Sequence, residues 1–396
     1  MLIDDWVIDC DTHITEPGDV WSSRLPRRFA DRAPHLDRLD DGRDVWRFGS
    51  TERMVPVGVT AVAGWPEPFP ASPRNMDEIP AAAHDAHARL AYMDEVGIWA
   101  MALYPNIGGF GNESFLGLGD PELMLACVRA YNDWLIEWSS ADERRFIPIM
   151  ATPYWDVEAT VAEVRRGAQM GHKGILFTGE PQEFGFPLIG DRHWDPLWRV
   201  AAETGLSISF HIGSGDFTKD FSPERFAAHG IGPTTARSTV SLFLKNALQV
   251  TDLLLSGVLP RHPEAKFVSV ESGIGWVPFV LESADYTFEY SRVRAERPEF
   301  EMRPSEYFAR QVFACYFFEE VAPRDLVDHI GVDNILFETD YPHPVCLYGN
   351  VRDKIDAGLS GQSHLVKRKL LWENAARLYR VAAPDRQWQS PTVKVA

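Results

Sequence analysis

The feature that most constrains this chain is the regular alternation of short apolar runs with amphipathic stretches. Eight runs have the length and apolar content of buried strands, at about residues 6–13, 99–104, 146–152, 173–177, 206–211, 266–271, 311–317 and 334–340. Each precedes a segment with helical periodicity, at residues 81–96, 121–140, 156–169, 196–204, 235–256, 276–292, 323–330 and 363–379. Eight strand–helix units predict an α/β fold, a (β/α)8 TIM barrel rather than an open doubly wound sheet.

We expect a single domain over residues 1–382, because a chain of 396 residues can form one barrel whose loops carry insertions. A small β-containing insertion is predicted after the first strand, at about residues 26–80. Within it, residues 44–48 and 52–57 have the pattern of short strands around a turn at residues 49–51, and a Pro-rich loop spans residues 64–79. The Pro-rich residues 383–396 are predicted to form a frayed C-terminal tail.

Charge and composition exclude several classes of partner. The net charge of −18 argues against nucleic acid and against anionic membranes, since both would repel the chain. The N-terminal residues lack the pattern of a signal peptide and no run of 18 apolar residues occurs, so we expect a cytoplasmic protein. The four cysteines form no Cys-x-x-Cys pair and are predicted to be free, mostly buried thiols.

Metal-ligand residue types end four of the eight predicted strands. The first strand brings two such residues and a third soon after it, the fifth and sixth strands end on one each, and the eighth ends on one with another three residues later. Because the C-terminal ends of barrel strands converge on one mouth, these side chains are expected to meet there. Carboxylates and imidazoles together suit iron, manganese or zinc. The candidate metal ligands are Asp11, His13, Glu16, His211, Glu271, Asp340 and His343.

Each position also has a structural alternative. His211 has the position of a loop-capping histidine, and Glu271 could form a salt bridge with a loop arginine. Glu338 and Asp340 lie on one strand face, so one of the two could serve only to position a ligand. His343, after a Tyr-Pro pair, could simply hydrogen-bond its own loop.

Four segments carry a resemblance to a known family. They are Asp11-Thr-His13, the strand Phe210-His211-Ile-Gly, the segment from Glu338 to Pro344, and the closing Leu371-Trp-Glu-Asn-Ala-Ala-Arg-Leu-Tyr379. Nearly the whole chain resembles the amidohydrolase-2 branch of the amidohydrolase superfamily, which includes metal-dependent decarboxylases. The resemblance implies a barrel with metal ligands at Asp11, His13, His211 and Asp340.

One residue departs from the pattern of those decarboxylases. They place a histidine that assists proton transfer at the end of the sixth strand, where this chain has Glu271. Four carboxylates at one mouth, Glu16 included, would repel one another unless about two divalent cations neutralised them. With Glu271-Ser-Gly-Ile-Gly-Trp and the segment 179–185, the pattern resembles barrel-fold non-haem di-iron monooxygenases of the platensimycin and platencin diterpenoid pathways, which act on CoA-linked substrates.

This second resemblance implies a non-haem di-iron monooxygenase of secondary metabolism. It would use O2 and two iron ions to hydroxylate an apolar acyl group, a CoA thioester of a terpenoid-like acid, with Glu16 and Glu271 as catalytic residues. An electron donor and a homo-oligomer are further expected partners. The alternative is an amidohydrolase-type hydrolase or decarboxylase that uses zinc or manganese, and a third interpretation is a catalytically idle barrel kept for binding.

Overall fold

The main structural unit is a barrel of eight parallel strands. The computed structural model describes residues 6–49 and 54–388. Its strands are β1 (Val7–His13), β2 (Pro34–Arg38), β3 (Asp44–Phe48), β4 (Met54–Pro56), β5 (Ile98–Tyr104), β6 (Phe146–Met150), β7 (Gly174–Leu176), β8 (Ser207–His211), β9 (Phe267–Val270), β10 (Val312–Tyr316) and β11 (Ile335–Phe337). The sheet runs in the order β1-β5-β6-β7-β8-β9-β10-β11, which confirms the predicted TIM barrel.

The barrel closes where β1 meets the chain after β11. The backbone N–H of Asp340 donates to the carbonyl of Asp11 at 2.9 Å, and the N–H of His13 donates to the carbonyl of Tyr341 at 2.7 Å. The first strand and the last therefore bring their predicted ligands to one seam of the mouth.

The barrel interior is apolar except along one strand. Side chains from the other seven strands form one buried cluster, with small and branched members such as Ile8 and Ala102 and aromatic ones such as Tyr104 and Phe313. The alternate residues of β8 that do not join the outer core are Ser207, Ser209 and His211, all of them buried. A polar column in the interior thus leads to the mouth.

Helices surround the barrel, and local capping fixes several of their ends. They are α1 (Ala81–His84), α2 (Ala86–Val96), α3 (Pro121–Ser139), α4 (Val157–Met170), α5 (Asp195–Thr204), α6 (Pro223–His229), α7 (Ile231–Leu255), α8 (Val258–Arg261), α9 (Val277–Tyr290), α10 (Val293–Glu296), α11 (Pro304–Gln311), α12 (Val321–Asp325), α13 (Val327–Ile330), α14 (Val351–Gly358), α15 (His364–Arg368) and α16 (Asn374–Tyr379). Asp85 caps α2, because its carboxylate accepts from the N–H of Ala88, and Gly97 ends that helix with a φ of 77°.

The insertion after β1 forms a separate antiparallel sheet of β2, β3 and β4. This confirms a β-containing insertion, although β2 lies in a stretch that the sequence analysis left without structure. Of the predicted turn at residues 49–51 and strand at 52–57, residues 50–53 lie outside the described part. Trp21 anchors this region, since its ring packs on Trp46 and its indole N–H donates to the carbonyl of Cys127 in α3.

The described part of the C-terminal segment packs on the barrel, contrary to the expectation of a tail frayed from residue 383. The indole of Trp6 donates to the carbonyl of Arg386 at 2.8 Å, and the Trp388 indole donates to the carbonyl of Asp94 at 2.9 Å. Residues 389–396 lie outside the described part, and the division into a single domain stays a prediction.

Two further expectations concern the cysteines and membranes. Cys10, Cys127 and Cys315 are buried free thiols, as predicted, and Cys346 is a partly buried one. Among the described residues, no helix combines the length and the hydropathy that a membrane span requires.

Candidate metal centre

Six of the seven predicted ligands meet at the mouth of the barrel. Their ligand atoms form two overlapping groups, in each of which all atoms lie within 4.8 Å of one another. One group contains Asp11, His13, His211 and Glu271, and the other contains His13, Glu271, Asp340 and His343. All six residues are buried, with side chains from the ends of four strands, as the pattern of strand ends predicted.

Two imidazoles point their ring nitrogens at each other. The Nε2 atoms of His13 and His211 lie 3.2 Å apart. Each Nδ1 lies near a carbonyl oxygen, that of Pro105 at 3.1 Å and that of Ile212 at 2.8 Å. Because a carbonyl only accepts, each Nδ1 carries the proton in the neutral ring, which leaves both Nε2 lone pairs facing the same space.

The carboxylates of Asp11 and Asp340 complete this arrangement. Both side chains are fully buried, and none of their four oxygens has a hydrogen-bond partner. Asp11 Oδ1 lies 3.5 Å from Nε2 of both His13 and His211, and Asp340 Oδ1 lies 3.5 Å from His13 Nε2. Buried acceptors without a donor are costly, so this set of oxygens and nitrogens fits a divalent cation.

Glu271 and Asp340 share an unusual backbone conformation. Their φ values are 59° and 61°, in the left-handed region of backbone conformation that residues other than glycine rarely adopt. Glu271 directly follows β9, and Asp340 comes three residues after the end of β11. In both cases the turn directs the carboxylate toward the cluster. Strain of this kind is typical of functional positions. The backbone N–H of Glu271 donates to Glu338 at 3.1 Å, so Glu338 positions the turn while Asp340 faces the cluster.

His343 is held in place from the loop after β5. Its Nε2 lies 2.8 Å from Oδ1 of Asn106, whose amide group donates to the carbonyl of Ile14 at 3.0 Å. That second bond fixes Asn106 Oδ1 as an acceptor, so His343 Nε2 carries a proton. Nδ1 of His343 lies 2.8 Å from Asp340 Oδ1, yet no hydrogen bond joins them. His343 is therefore suited to bind a cation through Nδ1.

Glu16 is the predicted ligand that the structure does not bring to the cluster. Its Oε1 accepts from the backbone N–H groups of Asn106 at 2.9 Å and Ile107 at 3.0 Å. Two N–H donors satisfy this oxygen without a metal ion, although burial still raises the pKa of Glu16 to about 7. The structure places Glu16 beneath the loop that orients His343, rather than among the ligands as predicted.

The pKa values of the histidines differ with their surroundings. Burial and the neighbouring His343 and His211 hold the pKa of His13 well below its usual value. Burial also lowers the pKa of His343 to about 3. For His211, burial opposes the positive charge, but the nearby Asp11 and Glu271 carboxylates outweigh it and raise the pKa to about 9. A cation among these groups would take the place of that proton.

Sequence reasoning missed two buried polar residues that support the site. Asp9 accepts from the N–H of Asp11 at 3.2 Å and from the hydroxyl of Thr339 at 2.6 Å, which ties β1 to the segment after β11. Asp9 could have been identified from the sequence, because an aspartate inside an apolar strand needs a buried hydrogen-bond partner. Arg89, fully buried on α2, donates to the carbonyl of His13 at 2.7 Å and covers the Tyr341 ring at 4.7 Å. No sequence pattern distinguishes it from a surface arginine.

Phe110 covers the cluster from the Gly-rich loop after β5. Its ring stacks on His211 with centroids 4.5 Å apart and lies 5.2 Å from the ring of His13. The ring of Tyr104 lies 5.4 Å from that of His211. Phe69 and Tyr348, two aromatic residues of loops farther along the chain, are exposed. The space above the ligands is therefore bounded by a flat ring.

The chain is similar in sequence and in fold to decarboxylases and to an amidohydrolase. The gamma-resorcylate decarboxylase of Polaromonas sp. (strain JS666) is 24% identical over 302 residues, which cover 74% of this chain and 86% of the relative. The crystal structure of an amidohydrolase from Mycobacterium avium subsp. paratuberculosis K-10 has a TM-score of 0.74 at 25% identity, covering 95% of this chain and 100% of that one. A dihydroxybenzoic acid decarboxylase from Polaromonas sp. JS666, solved with bound manganese, has a TM-score of 0.63 at 19% identity, over 96% of this chain and 98% of that one.

These findings correct the predicted reaction. The named relatives are decarboxylases or an amidohydrolase, so the prediction of a di-iron monooxygenase that hydroxylates an acyl group is wrong. The metal in the solved relative is manganese, which supports a metal centre but not two iron ions. The amidohydrolase family model (Amidohydro_2) matches residues 8–381, and the chain therefore belongs to the amidohydrolase-2 family.

Proposed function

We propose that this chain is a metal-dependent, non-oxidative decarboxylase of a small aromatic or conjugated carboxylic acid. The observation that carries the proposal is the pair of imidazole Nε2 atoms 3.2 Å apart, flanked by two buried aspartates without hydrogen-bond partners. The decarboxylase names of the relatives supply the reaction class. Asp11, His13 and His211 of one group, with Asp340 of the overlapping group, would hold one manganese or zinc ion, and His343 would offer its Nδ1 to the same ion.

The bound cation would supply a Lewis acid that polarises oxygen atoms of the substrate. The chain itself must supply a proton, because decarboxylation replaces the bond from carbon to the carboxylate with a C–H bond and releases CO2. Glu271 is the candidate donor. Burial, and next the Asp340 carboxylate, raises the pKa of Glu271 well above its usual value, which suits a proton donor.

The ring of Phe110 supports a flat substrate. It lies over His211 and His13 at van der Waals range, so a planar conjugated acid fits the space beside it better than a bulky terpenoid body.

A metal-dependent hydrolase is the second candidate, because Asp340, with both oxygens unpartnered, could accept a proton from an attacking water molecule.

The test is a decarboxylation assay on metal-loaded protein. The full chain, loaded with manganese or with zinc, is incubated with a panel of aromatic and conjugated acids in D2O, and CO2 and the deuterated product are measured. We expect one deuterium on the carbon that lost the carboxylate, with equal turnover in the absence of O2. Hydrolysis of esters or amides without CO2 release from any acid would contradict the decarboxylase and favour the hydrolase.

A matched pair of variants isolates the proton donor. Glu271→Gln should lower turnover by roughly 10²–10⁴-fold, the usual contribution of a general acid, while the protein still binds manganese. Glu319→Gln is the control, because Glu319 is a partly buried glutamate that lies outside the cluster, where its oxygens accept hydrogen bonds from the backbone N–H groups of Ile274 and Gly275. Full turnover in Glu271→Gln would exclude Glu271 as the donor.

A further inference from the structure

Glu16 is a fully buried glutamate that the proposed reaction does not use. Its Oε1 accepts hydrogen bonds from the backbone N–H groups of Asn106 at 2.9 Å and Ile107 at 3.0 Å. Its Oε2 is buried without a hydrogen-bond partner in the described part of the chain. Burying a carboxyl group that lacks a full set of partners is costly. The role of Glu16 is therefore to be sought in the turn that its Oε1 holds.

That turn carries the residue that contacts His343. The side-chain amide group of Asn106 donates to the carbonyl of Ile14 at 3.0 Å, and its Oδ1 lies 2.8 Å from Nε2 of His343. Asn106 is thus fixed at two points, at its backbone by Glu16 and at its side chain by Ile14. Without Glu16, the two N–H groups of the turn would be buried without an acceptor, and the turn would have to shift to satisfy them.

A shift of Asn106 would affect which nitrogen of His343 carries the proton. Nδ1 of His343 lies 2.8 Å from Oδ1 of Asp340, and its ring stacks on that of His13 with centroids 3.7 Å apart. If Asn106 no longer accepted from Nε2, a proton on Nδ1 could instead bond to Asp340. That tautomer has no lone pair on Nδ1, so His343 could not bind a cation there. The acceptor on Asn106 opposes this exchange.

We propose that Glu16 is a positioning residue, which holds Asn106 against His343 through the turn at residues 106–107 and so keeps the Nδ1 lone pair of His343 free for a cation. The inference rests on the metal centre of the proposed function, but it does not depend on which reaction that centre catalyses.

The first test reads the tautomer of His343 directly. Metal-free protein with ¹⁵N-labelled histidine is examined by NMR, and His343→Gln identifies the His343 signals by removing them. We expect the proton on Nε2 in the wild type and a population with the proton on Nδ1 in Glu16→Met, which removes the acceptor with little change in volume. Glu16→Gln should keep the wild-type signals, because its amide oxygen can accept the same two N–H bonds. Unchanged His343 signals in Glu16→Met would overturn the proposal.

The second test is manganese affinity, measured by competition with a chelator. Glu16→Met should bind manganese roughly 10–100-fold more weakly, as for other residues that orient a metal-bound imidazole, and Glu16→Gln should bind it as tightly as the wild type. Glu163→Met is the matched control, since Glu163 is also fully buried and accepts from the side chain of Asn132 at 2.9 Å, away from the cluster. This control should lose stability but keep the manganese affinity and the His343 signals of the wild type.

A double variant tests whether the effect passes through Asn106. Glu16→Met with Asn106→Ala should bind manganese no more weakly than Asn106→Ala alone, and losses that simply add would overturn this route. Circular dichroism verifies folding, and Glu16→Ala, which also lacks the acceptor, replaces Glu16→Met if the methionine is not accommodated. The two proposals fail separately: a wild type that binds no manganese would overturn the metal-dependent function, whereas equal affinities in wild type and Glu16→Met would overturn only the role of Glu16.

Discussion

Replacing Asn106 by alanine tests whether His343 takes part in metal binding. Asn106 accepts a hydrogen bond from Nε2 of His343 at 2.8 Å, and no other described side chain is shown to bond this nitrogen. Its own amide group is fixed by the carbonyl of Ile14 at 3.0 Å. Partners of this kind orient a metal-bound imidazole, and their loss typically weakens metal binding by about 10–100-fold. We expect a loss of that size, about 1.4–2.7 kcal/mol, for Asn106→Ala.

The assay is manganese binding to metal-free protein, measured by calorimetry or by competition with a chelator. Asn132→Ala is the control, since Asn132 is buried, donates to the carbonyl of Ala151 at 3.1 Å and accepts from its N–H at 2.8 Å, far along the chain from the ligands. It should lower the free energy of unfolding by about 1–3 kcal/mol without changing manganese affinity. The decisive result is the double variant Asn106→Ala with His343→Ala: if the two losses simply add, Asn106 does not act through His343.

Three further predictions follow from buried groups of the barrel. Arg89→Met should weaken manganese binding severalfold, because it removes the hydrogen bond to the carbonyl of His13. Arg145→Met removes the bonds to the carbonyls of Ile98 and Trp99 at the start of β5 and should only destabilise the fold. Equal manganese affinities of the two variants would refute a role of Arg89 in positioning His13. His211→Ala should abolish metal binding but keep the circular dichroism of the barrel, and a variant with normal metal content would show that β8 supplies no ligand. Burial lowers the pKa of His172 from 6.5 to about 4, so only the unfolded chain gains this proton as the pH falls from about 6.5 to 4. Between pH 7 and 5, the free energy of unfolding of the wild type should therefore fall by about 2 kcal/mol more than that of His172→Gln, as measured by denaturant titrations. Equal losses in the two proteins would contradict the lowered pKa of His172.

The barrel could be predicted from sequence because its signals are local. Each strand is a short apolar run, and each surrounding helix has its own periodicity and caps, as Asp85 and Gly97 show for α2. The strand β2 was missed because three of its five residues, His35, Asp37 and Arg38, are polar and only Pro34 is buried. The strand pairs with β3 rather than with the barrel. An edge strand of this kind lacks the apolar alternation that identifies a buried one.

The candidate ligands were predictable because they follow from the positions of the strands, whereas the residues that hold these ligands in place were not. Residues at strand ends converge by the geometry of the fold, so six candidate ligands could be named from their positions. Asn106 and Arg89 reach the site from a loop and a helix, and their contacts depend on the distance between elements far apart in sequence. Glu16 lies outside the two groups because a residue just after a strand turns with its loop, and this one turns toward the backbone of Asn106.

The number of acidic residues at the mouth does not by itself set the number of metal ions. Counting Asp11, Glu16, Glu271 and Asp340 as four negative charges leads to two divalent cations, which was the electrostatic basis for expecting a di-iron site. In the folded chain, burial raises the pKa of Glu16 to about 7 although its Oε1 accepts from the backbone N–H groups of residues 106 and 107, so a proton rather than a second cation can neutralise it. Burial and then a neighbouring aspartate raise the pKa of both Glu271 and Asp340, so a bound proton can neutralise charge that a second cation would otherwise balance. In the proposed decarboxylase, one divalent ion beside Asp11 and Asp340 would leave Glu271 to carry the proton that the reaction needs. Protonation follows from burial, and burial is a property of the fold rather than of the residue count.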